Sequence, residues 1–117
     1  SLKIIGDRDK LIEIFTNLID NSIKYSDKNK EITITAKKDG EFNTVSVRDQ
    51  GIGIPKESIH RITERFFTVD PSKSRSVGGT GLGLAIVKHL VSQHRAEMDI
   101  NSVENEGTTI DIKFNSL

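Results

Sequence analysis

Two turn signals constrain the fold of this chain more than any other feature of its sequence. Asp39-Gly40 joins two alternating segments rich in β-branched residues, EITITAKK and FNTVSVRD, and Asn105-Glu106-Gly107 joins a second alternating pair over 97–102 and 108–114. Alternating segments joined by turns of this kind predict β-hairpins, whose two strands are antiparallel. An all-parallel sheet is therefore excluded.

Helical patterns precede and separate the predicted hairpins. From Arg8 to Tyr25 the apolar residues fall on one helical stripe after a predicted N-cap at Asp7, and Leu82–His94 predicts another helix. The remaining segments are an extended run, a helical piece and a polar loop without periodicity: Leu2–Ile5, residues near 56–66, and 68–80. Together they predict an α+β fold, a two-layer α/β sandwich. Its mixed, mostly antiparallel sheet has about five strands, with about three helices on one face.

Length and charge limit the class of protein. The 117 residues fit one domain, 1–117, and 17 basic residues balance 17 acidic ones, which argues against nucleic-acid binding. The chain has no cysteine, so disulfides and thiolate metal sites are excluded. No apolar run reaches the ~20 residues needed to span a bilayer, and no signal-peptide pattern is present. Because the sequence starts almost directly on a strand-like segment, we expect a soluble domain excised from a longer protein.

Residues 78–88, GGTGLGLAIVK, place a glycine cluster directly before a predicted helix. Three known loops do not match it. Lys88 lies too deep in the helix for a P-loop, SKSRSVG is a poor strand for a dinucleotide fingerprint, and the lysine of a kinase-type AIVK belongs on a strand. Unshielded N–H groups at Gly79, Gly81 and Gly83 would still favour an anion at the helix N-terminus. From these residues alone, a flexible loop and an anion site both remain open.

Polar side chains also gather on one face of the first predicted helix. Asn17, Asn21 and Lys24 lie within a wedge of roughly 60°, away from the apolar stripe. A solvated face is one interpretation, but asparagine is unfavourable in mid-helix. Two amide oxygens beside an ammonium suit a magnesium–phosphate group. In DQGIGIP, Asp49 at a strand end is followed by glycines and is placed to accept a hydrogen bond from an exocyclic amine, with an ordinary turn as the alternative.

Four segments in this order resemble the motifs of a known family. FTNLIDNSIKYS looks like an N box, VRDQGIGIP a G1 box, RITERFFTVD an F box and GGTGLGLAIVK a G2 box. The set resembles the catalytic ATP-binding domain of bacterial sensor histidine kinases, which has the Bergerat fold shared with gyrase, Hsp90 and mismatch-repair ATPases. The resemblance covers nearly the whole chain and implies ATP and Mg²⁺ as cofactors.

The resemblance also implies a role for each matching residue. Asn21 would coordinate Mg²⁺, while Asn17 and Lys24 would act on the phosphate side. Asp49 would accept the N6 amine of adenine. Tyr25 would pack near the nucleotide, Gly51 and Gly53 would shape the base pocket, and Thr108 would lie at its base. The segment from Phe66 to Gly79 would form a mobile lid, whose Lys73 and Arg75 could reach phosphate. Gly81, Leu82 and Gly83 would hold the phosphates at the helix start, and Thr80 is a further implied nucleotide-binding residue.

Three positions depart from the family pattern. Thr63 replaces a phenylalanine of the F box, so lid anchoring would rest on Phe66 and Phe67. Asn105 replaces a glycine, and because asparagine tolerates left-handed backbone, we expect the turn to survive. Arg95-Ala96 replaces a Gly-Gly pair, a change whose consequence the sequence does not indicate.

The matching residues favour phosphoryl transfer over hydrolysis. Hydrolysing members use a glutamate where this chain has Asn17, and Glu13 lies a turn earlier. The resemblance places the acceptor histidine on a separate dimerisation domain, because His60, His89 and His94 lack its motif. We therefore expect the cytoplasmic catalytic domain of a membrane-anchored protein-histidine kinase in a two-component phosphorelay. Its partners would be ATP, that dimerisation domain and a response regulator, without nucleic-acid or membrane contact. The alternatives are an ATPase or an anti-sigma-factor-type serine kinase of the same fold, and a non-catalytic nucleotide-sensing module.

Overall fold

The computed structural model describes residues 3–27 and 29–115. Within them the chain forms three helices, a 3₁₀ helix and four strands, in the order α1 (Arg8–Lys24), β1 (Ile32–Asp39), β2 (Phe42–Asp49), the 3₁₀ helix (Lys56–Arg61), α2 (Pro71–Ser76), α3 (Gly83–Gln93), β3 (Glu97–Val103) and β4 (Gly107–Asn115). Both predicted hairpins are present, with strand bounds that differ by no more than about one residue from the predicted ones.

The four described strands form one antiparallel sheet in the order β1-β2-β4-β3. The two hairpins join through β2 and β4, where Val47 lies opposite Ile110. The predicted sandwich architecture is confirmed, but the described sheet has four strands instead of about five and no parallel pair. Residues 3–5 of the predicted run Leu2–Ile5 are not a strand, and Leu2 lies outside the described residues. Asn43 Nδ2 donates a hydrogen bond to Lys3 O (2.7 Å), so a side chain instead of a strand ladder holds this segment.

Helices α1 and α3 cover one face of the sheet. The side chain of Asp7 accepts a hydrogen bond from Lys10 N (3.0 Å), which caps α1 as predicted. Ile14 and Leu18 on the apolar stripe of α1 are 0% and 1% exposed. Burial of one such side chain contributes about 1.5–3 kcal/mol. The buried core draws on both helices and both central strands: Ile14, Leu18, Val47, Val87, Leu90, Val91, Ile110, Ile112 and Phe114.

The opposite face of the sheet is polar. On it, Lys113 of β4 and Asp99 of β3 form an ion pair of 2.7 Å, and this hydrogen bond raises the pKa of Lys113. An antiparallel sheet can leave such a face in water, so helices on one side suffice. Among the described residues, no helix has the length and apolar character to cross a membrane.

Part of the segment predicted as a loop over 68–80 is helical. Asp70 Oδ1 accepts hydrogen bonds from Ser72 N (3.0 Å) and Lys73 N (3.2 Å), which caps α2. Pro71 occupies the first helical position, where its missing N–H costs no hydrogen bond. An Asp-Pro start signal therefore outweighs the lack of apolar periodicity here.

The helical piece predicted near 56–66 is shorter and tighter than expected. It is a 3₁₀ helix over Lys56–Arg61, and its N-cap residue, Pro55, provides no side-chain hydrogen bond. Beyond it the chain turns, and Phe66 adopts a left-handed φ of 66° that ends any regular helix.

The departures at Asn105 and Arg95 both produce left-handed backbone. Asn105 has φ 66° and the β3–β4 turn is intact, as predicted. Arg95 has φ 53°, and Ala96 N beyond it donates to Val91 O (3.1 Å). This closes the C-terminus of α3 in the manner that usually uses glycine.

Candidate functional site

A cavity of about 270 Å³ lies where α1, α2, the start of α3 and the turn after β2 meet. This volume is close to the lower end, about 300 Å³, of the range for small-molecule sites. Every residue predicted for the site lines it except Gly51 and Arg75. Its lining comprises Asn17, Asp20, Asn21, Lys24, Tyr25, Asp49, Ile52, Gly53, Ile54, Ile62, Phe67, Thr68, Val69, Asp70, Lys73, Gly79, Thr80, Gly81, Leu82, Gly83, Leu84, Ile86 and Thr108.

Asp49, the last residue of β2, provides a fixed acceptor in this cavity. It is 9% exposed, and its Oδ1 accepts hydrogen bonds from Gly51 N (2.9 Å) and Thr108 N (3.1 Å). Oδ2 accepts no hydrogen bond from the described part of the protein. Gly51, which does not line the cavity, therefore acts on the site through Asp49.

An apolar wall accompanies Asp49. Ile52, Ile54 and Ile62 line the same cavity, and Ile62 is only 8% exposed. An apolar slot with one fixed carboxylate suits a flat heteroaromatic ring that carries an N–H donor. Between Ile52 and Ile54, Gly53 has φ 70° and lies against the backbone of Val103, where a side chain would overlap it. Our sequence reasoning did not single out these isoleucines, although the alternation of Ile52 and Ile54 with glycine in GIGIP was available as a signal.

The polar face of α1 forms the opposite wall. Asn17 Nδ2 donates to Glu13 O (2.9 Å) within the helix. Its Oδ1 therefore faces the start of α3, where a Cβ atom on Gly83 would lie 3.6 Å away. Asn21, one turn along, lines the cavity, and its amide makes no hydrogen bond to another described residue. Both asparagines of the wedge on α1 therefore line the cavity that the glycine-rich start of α3 also lines.

Lys24, the last residue of α1, contacts the end of the segment from Phe66 to Gly79. Its Nζ is 2.9 Å from Asp20 Oδ2 and 3.4 Å from Gly78 O. Lys73 of α2 lines the cavity as well, whereas Arg75 is exposed outside it. Two lysines therefore line the cavity, and the ammonium group of one of them, Lys24, is paired with Asp20.

The start of α3 adds backbone donors. The helix begins at Gly83, and Leu82 before it provides no side-chain cap. The first-turn N–H groups of an uncapped helix attract an anion. Gly81 has φ 73°, and a Cβ there would lie 2.8 Å from Phe66 Cα. Phe66 N donates a hydrogen bond to Gly81 O (2.7 Å), and this bond joins the backbone of the segment before α2 to the backbone just before α3.

The segment from Phe66 to Gly79 covers one side of the cavity. Phe67 lines the cavity and packs under the Arg61 guanidinium, 4.5 Å from its ring centre. Phe66 has a 66% exposed side chain, and its backbone hydrogen bond to α3 supplies the anchor. At the other end, Tyr25 Oη lies 2.7 Å from where a Cβ on Gly79 would be. The backbone of this segment is therefore bonded to the start of α3 at Phe66 and lies close to Tyr25 at Gly79.

Six further lining residues lie within the quoted boxes but were not singled out from the sequence. Asp20 and Asp70 face the cavity together with Thr68, Val69, Leu84 and Ile86. The spacing of Asp20 four residues before Lys24 was a visible signal, since such positions share a helix face.

Known proteins are similar to this chain in sequence and in fold. The family described as "Histidine kinase-, DNA gyrase B-, and HSP90-like ATPase" matches residues 6–116. The sensor histidine kinase WalK of Bacillus subtilis (strain 168) is 42% identical over 106 residues, which cover 89% of this chain and 17% of WalK. Among solved structures, the mycobacterial sensor histidine kinase MprB has a TM-score of 0.83 at 31% identity, over 97% of this chain and 74% of that one. Full-length ShkA in complex with AMPPNP has a TM-score of 0.82 at 27% identity, over 100% of this chain and 24% of that one. The chain therefore belongs to the family of histidine kinase-, DNA gyrase B- and HSP90-like ATPases.

Proposed function

We propose that this chain binds Mg-ATP in the cavity and donates the γ-phosphoryl group to a histidine on a separate dimerisation domain, in two-component signal transduction. One observation carries the proposal: Asp49 at the end of β2 and Asn21 on α1 line a single cavity, together with the uncapped start of α3. This cavity offers a base-recognising carboxylate at one side and groups for a metal and phosphates at the other. The ShkA neighbour, crystallised with AMPPNP, supports an adenine nucleotide as the ligand.

At the base end, adenine would lie in the apolar slot of Ile52, Ile54 and Ile62. Asp49 Oδ2 would accept a hydrogen bond from the N6 amine while Oδ1 stays fixed by two backbone N–H groups. A carboxylate held in this way needs no reorganisation when the base binds, which favours affinity and base selectivity.

At the phosphate end, the donor set fits Mg²⁺. No group of three or more histidine, cysteine or acidic side chains able to hold a metal occurs among the described residues. Mg²⁺ commonly takes only one or two protein oxygens and completes its octahedron with phosphates and water. Asn21 would supply such an oxygen, with Asn17 beside it, and the bound ion would neutralise phosphate charge. Lys24, Lys73 and the start of α3 would hold the phosphates.

We favour transfer over hydrolysis because no glutamate occurs among the described residues that line the cavity, so none is placed there to activate water. Asn17 lies where hydrolysing members use a glutamate, and Glu13, whose carbonyl it contacts, does not line the cavity. The residues present position the γ-phosphate and offset its charge, and the nucleophile comes from outside. An imidazole nitrogen would attack the γ-phosphorus as the bond to the β–γ bridging oxygen breaks and ADP leaves.

This chain spans 17% of WalK, so the activity of the whole protein follows only by proposal. We infer that the parent is a membrane-anchored sensor whose cytoplasmic part contains this domain and passes the phosphoryl group to a response regulator. The test is incubation of the chain with [γ-³²P]ATP, Mg²⁺ and the purified dimerisation domain of the same parent. Acid-labile label on that domain is expected. Acid-stable label would instead indicate a serine kinase, and steady ATP turnover without label would indicate an ATPase.

A further inference from the structure

Asp20 is a charged residue of the cavity wall that the proposed mechanism does not use. Its Oδ2 lies 2.9 Å from Lys24 Nζ on α1, and both residues line the cavity. Asp20 precedes Asn21, the residue proposed to hold the metal. Its side chain is 54% exposed, so it serves no packing role that would explain its position.

The charges that face the cavity are acidic on balance. Asp20, Asp49 and Asp70 line it, against two cations, Lys24 and Lys73, while Arg75 lies outside. Asp70 is occupied as the cap of α2, and Asp49 is fixed at the base end. Among the acidic residues of the described lining, this leaves Asp20 at the end of the cavity where the phosphates are proposed to bind. There it lies beside Lys24, one of the residues proposed to hold them.

An acidic group in this position is unfavourable for a bare triphosphate. It repels the phosphates directly and offsets the attraction of Lys24 for them. A divalent cation on the phosphates reverses the first effect, because the carboxylate then attracts the ion next to Asn21. We propose, on the basis of the function proposed above, that Asp20 is a specificity-determining residue that makes the cavity select metal-complexed over metal-free nucleotide.

The test compares ATP affinity with and without magnesium. Isothermal titration calorimetry of the whole chain would use ATP at fixed ionic strength, once with excess MgCl₂ and once with EDTA, for the wild type and Asp20→Asn. Asp9→Asn is the matched control, because Asp9 is an exposed residue in the first turn of the same helix and does not line the cavity. Thermal melts of the three proteins establish that each is folded.

For Asp20→Asn we expect metal-free ATP to bind about five- to tenfold more tightly, the effect of removing one half-exposed charge near the phosphates. Mg-ATP should bind to Asp20→Asn no more tightly than it binds to the wild type. The increase in ATP affinity that magnesium causes should therefore be smaller in Asp20→Asn than in the wild type, whereas Asp9→Asn should leave this increase unchanged. If both affinities of Asp20→Asn rise or fall together, or if neither changes, the inference is overturned while the proposed function stands. If the wild type binds ATP in neither buffer, the proposed function itself is wrong.

Discussion

Replacement of Asp49 by asparagine tests the proposed recognition of adenine and preserves the hydrogen bonds that hold this side chain in place. The amide oxygen can still accept the two hydrogen bonds that Oδ1 receives from Gly51 N and Thr108 N. The amide nitrogen then takes the place of Oδ2, so the acceptor offered to adenine becomes a donor that faces another donor, the N6 amine. An unpaired buried donor costs about 1–3 kcal/mol. The ATP affinity should therefore fall about 5- to 150-fold.

Calorimetric titration with ATP and with purine riboside triphosphate, which lacks the N6 amine, separates this effect from general damage. The wild type should prefer ATP, and the Asp49→Asn variant should lose that preference. Urea denaturation should show a change of less than about 1 kcal/mol in the free energy of unfolding, because both scaffold hydrogen bonds persist. A folded variant that binds ATP as tightly as the wild type would refute the assignment of Asp49.

The remaining predictions concern the metal, the end of α3 and the acceptor. Asn21→Ala should abolish the magnesium dependence of ATP binding with an unchanged circular dichroism spectrum, and a normal Mg²⁺ response would exclude its ligand role. Arg95→Gly should raise the free energy of unfolding by about 0.5–1 kcal/mol in urea denaturation, because relief of left-handed strain outweighs the added freedom of the unfolded chain; a loss of stability would contradict this. The chain alone with labelled Mg-ATP should gain no label, since His60, His89 and His94 do not line the cavity, and label on it would show an acceptor within the domain.

The parts of the fold that the sequence predicts correctly depend on local signals. The two hairpins follow from turn residues between alternating segments, and α1 follows from an apolar stripe behind a cap at Asp7. Asn105 keeps its turn because its tolerance of left-handed backbone is a property of the residue itself. In each case the deciding interaction lies within a few residues along the chain.

The errors arise where a distant or competing interaction decides. Lys3 is held by the side chain of Asn43, forty positions away, and no local pattern reveals that this contact replaces a strand ladder. Helix α2 was missed for a different reason. Its start signal at Asp70-Pro71 was present, but its six residues are too few to show an apolar period.

The candidate site shows what a set of motifs can and cannot tell. Asn21 and Asp49, which belong to different boxes, line one cavity. Motif membership does not say how each residue contributes to that cavity. Gly51 belongs to a box but contributes its N–H to Asp49 and does not line the cavity, while Asp20, which was not singled out, lines the cavity directly. Whether a residue lines the cavity depends on how α1 and the end of β2 pack against each other, and the sequence of a single motif does not reveal this packing. Because the side chain of Asp20 is 54% exposed, replacement by asparagine changes the charge of the cavity wall with little change in packing, and this makes the proposed preference for metal-bound nucleotide testable at one residue.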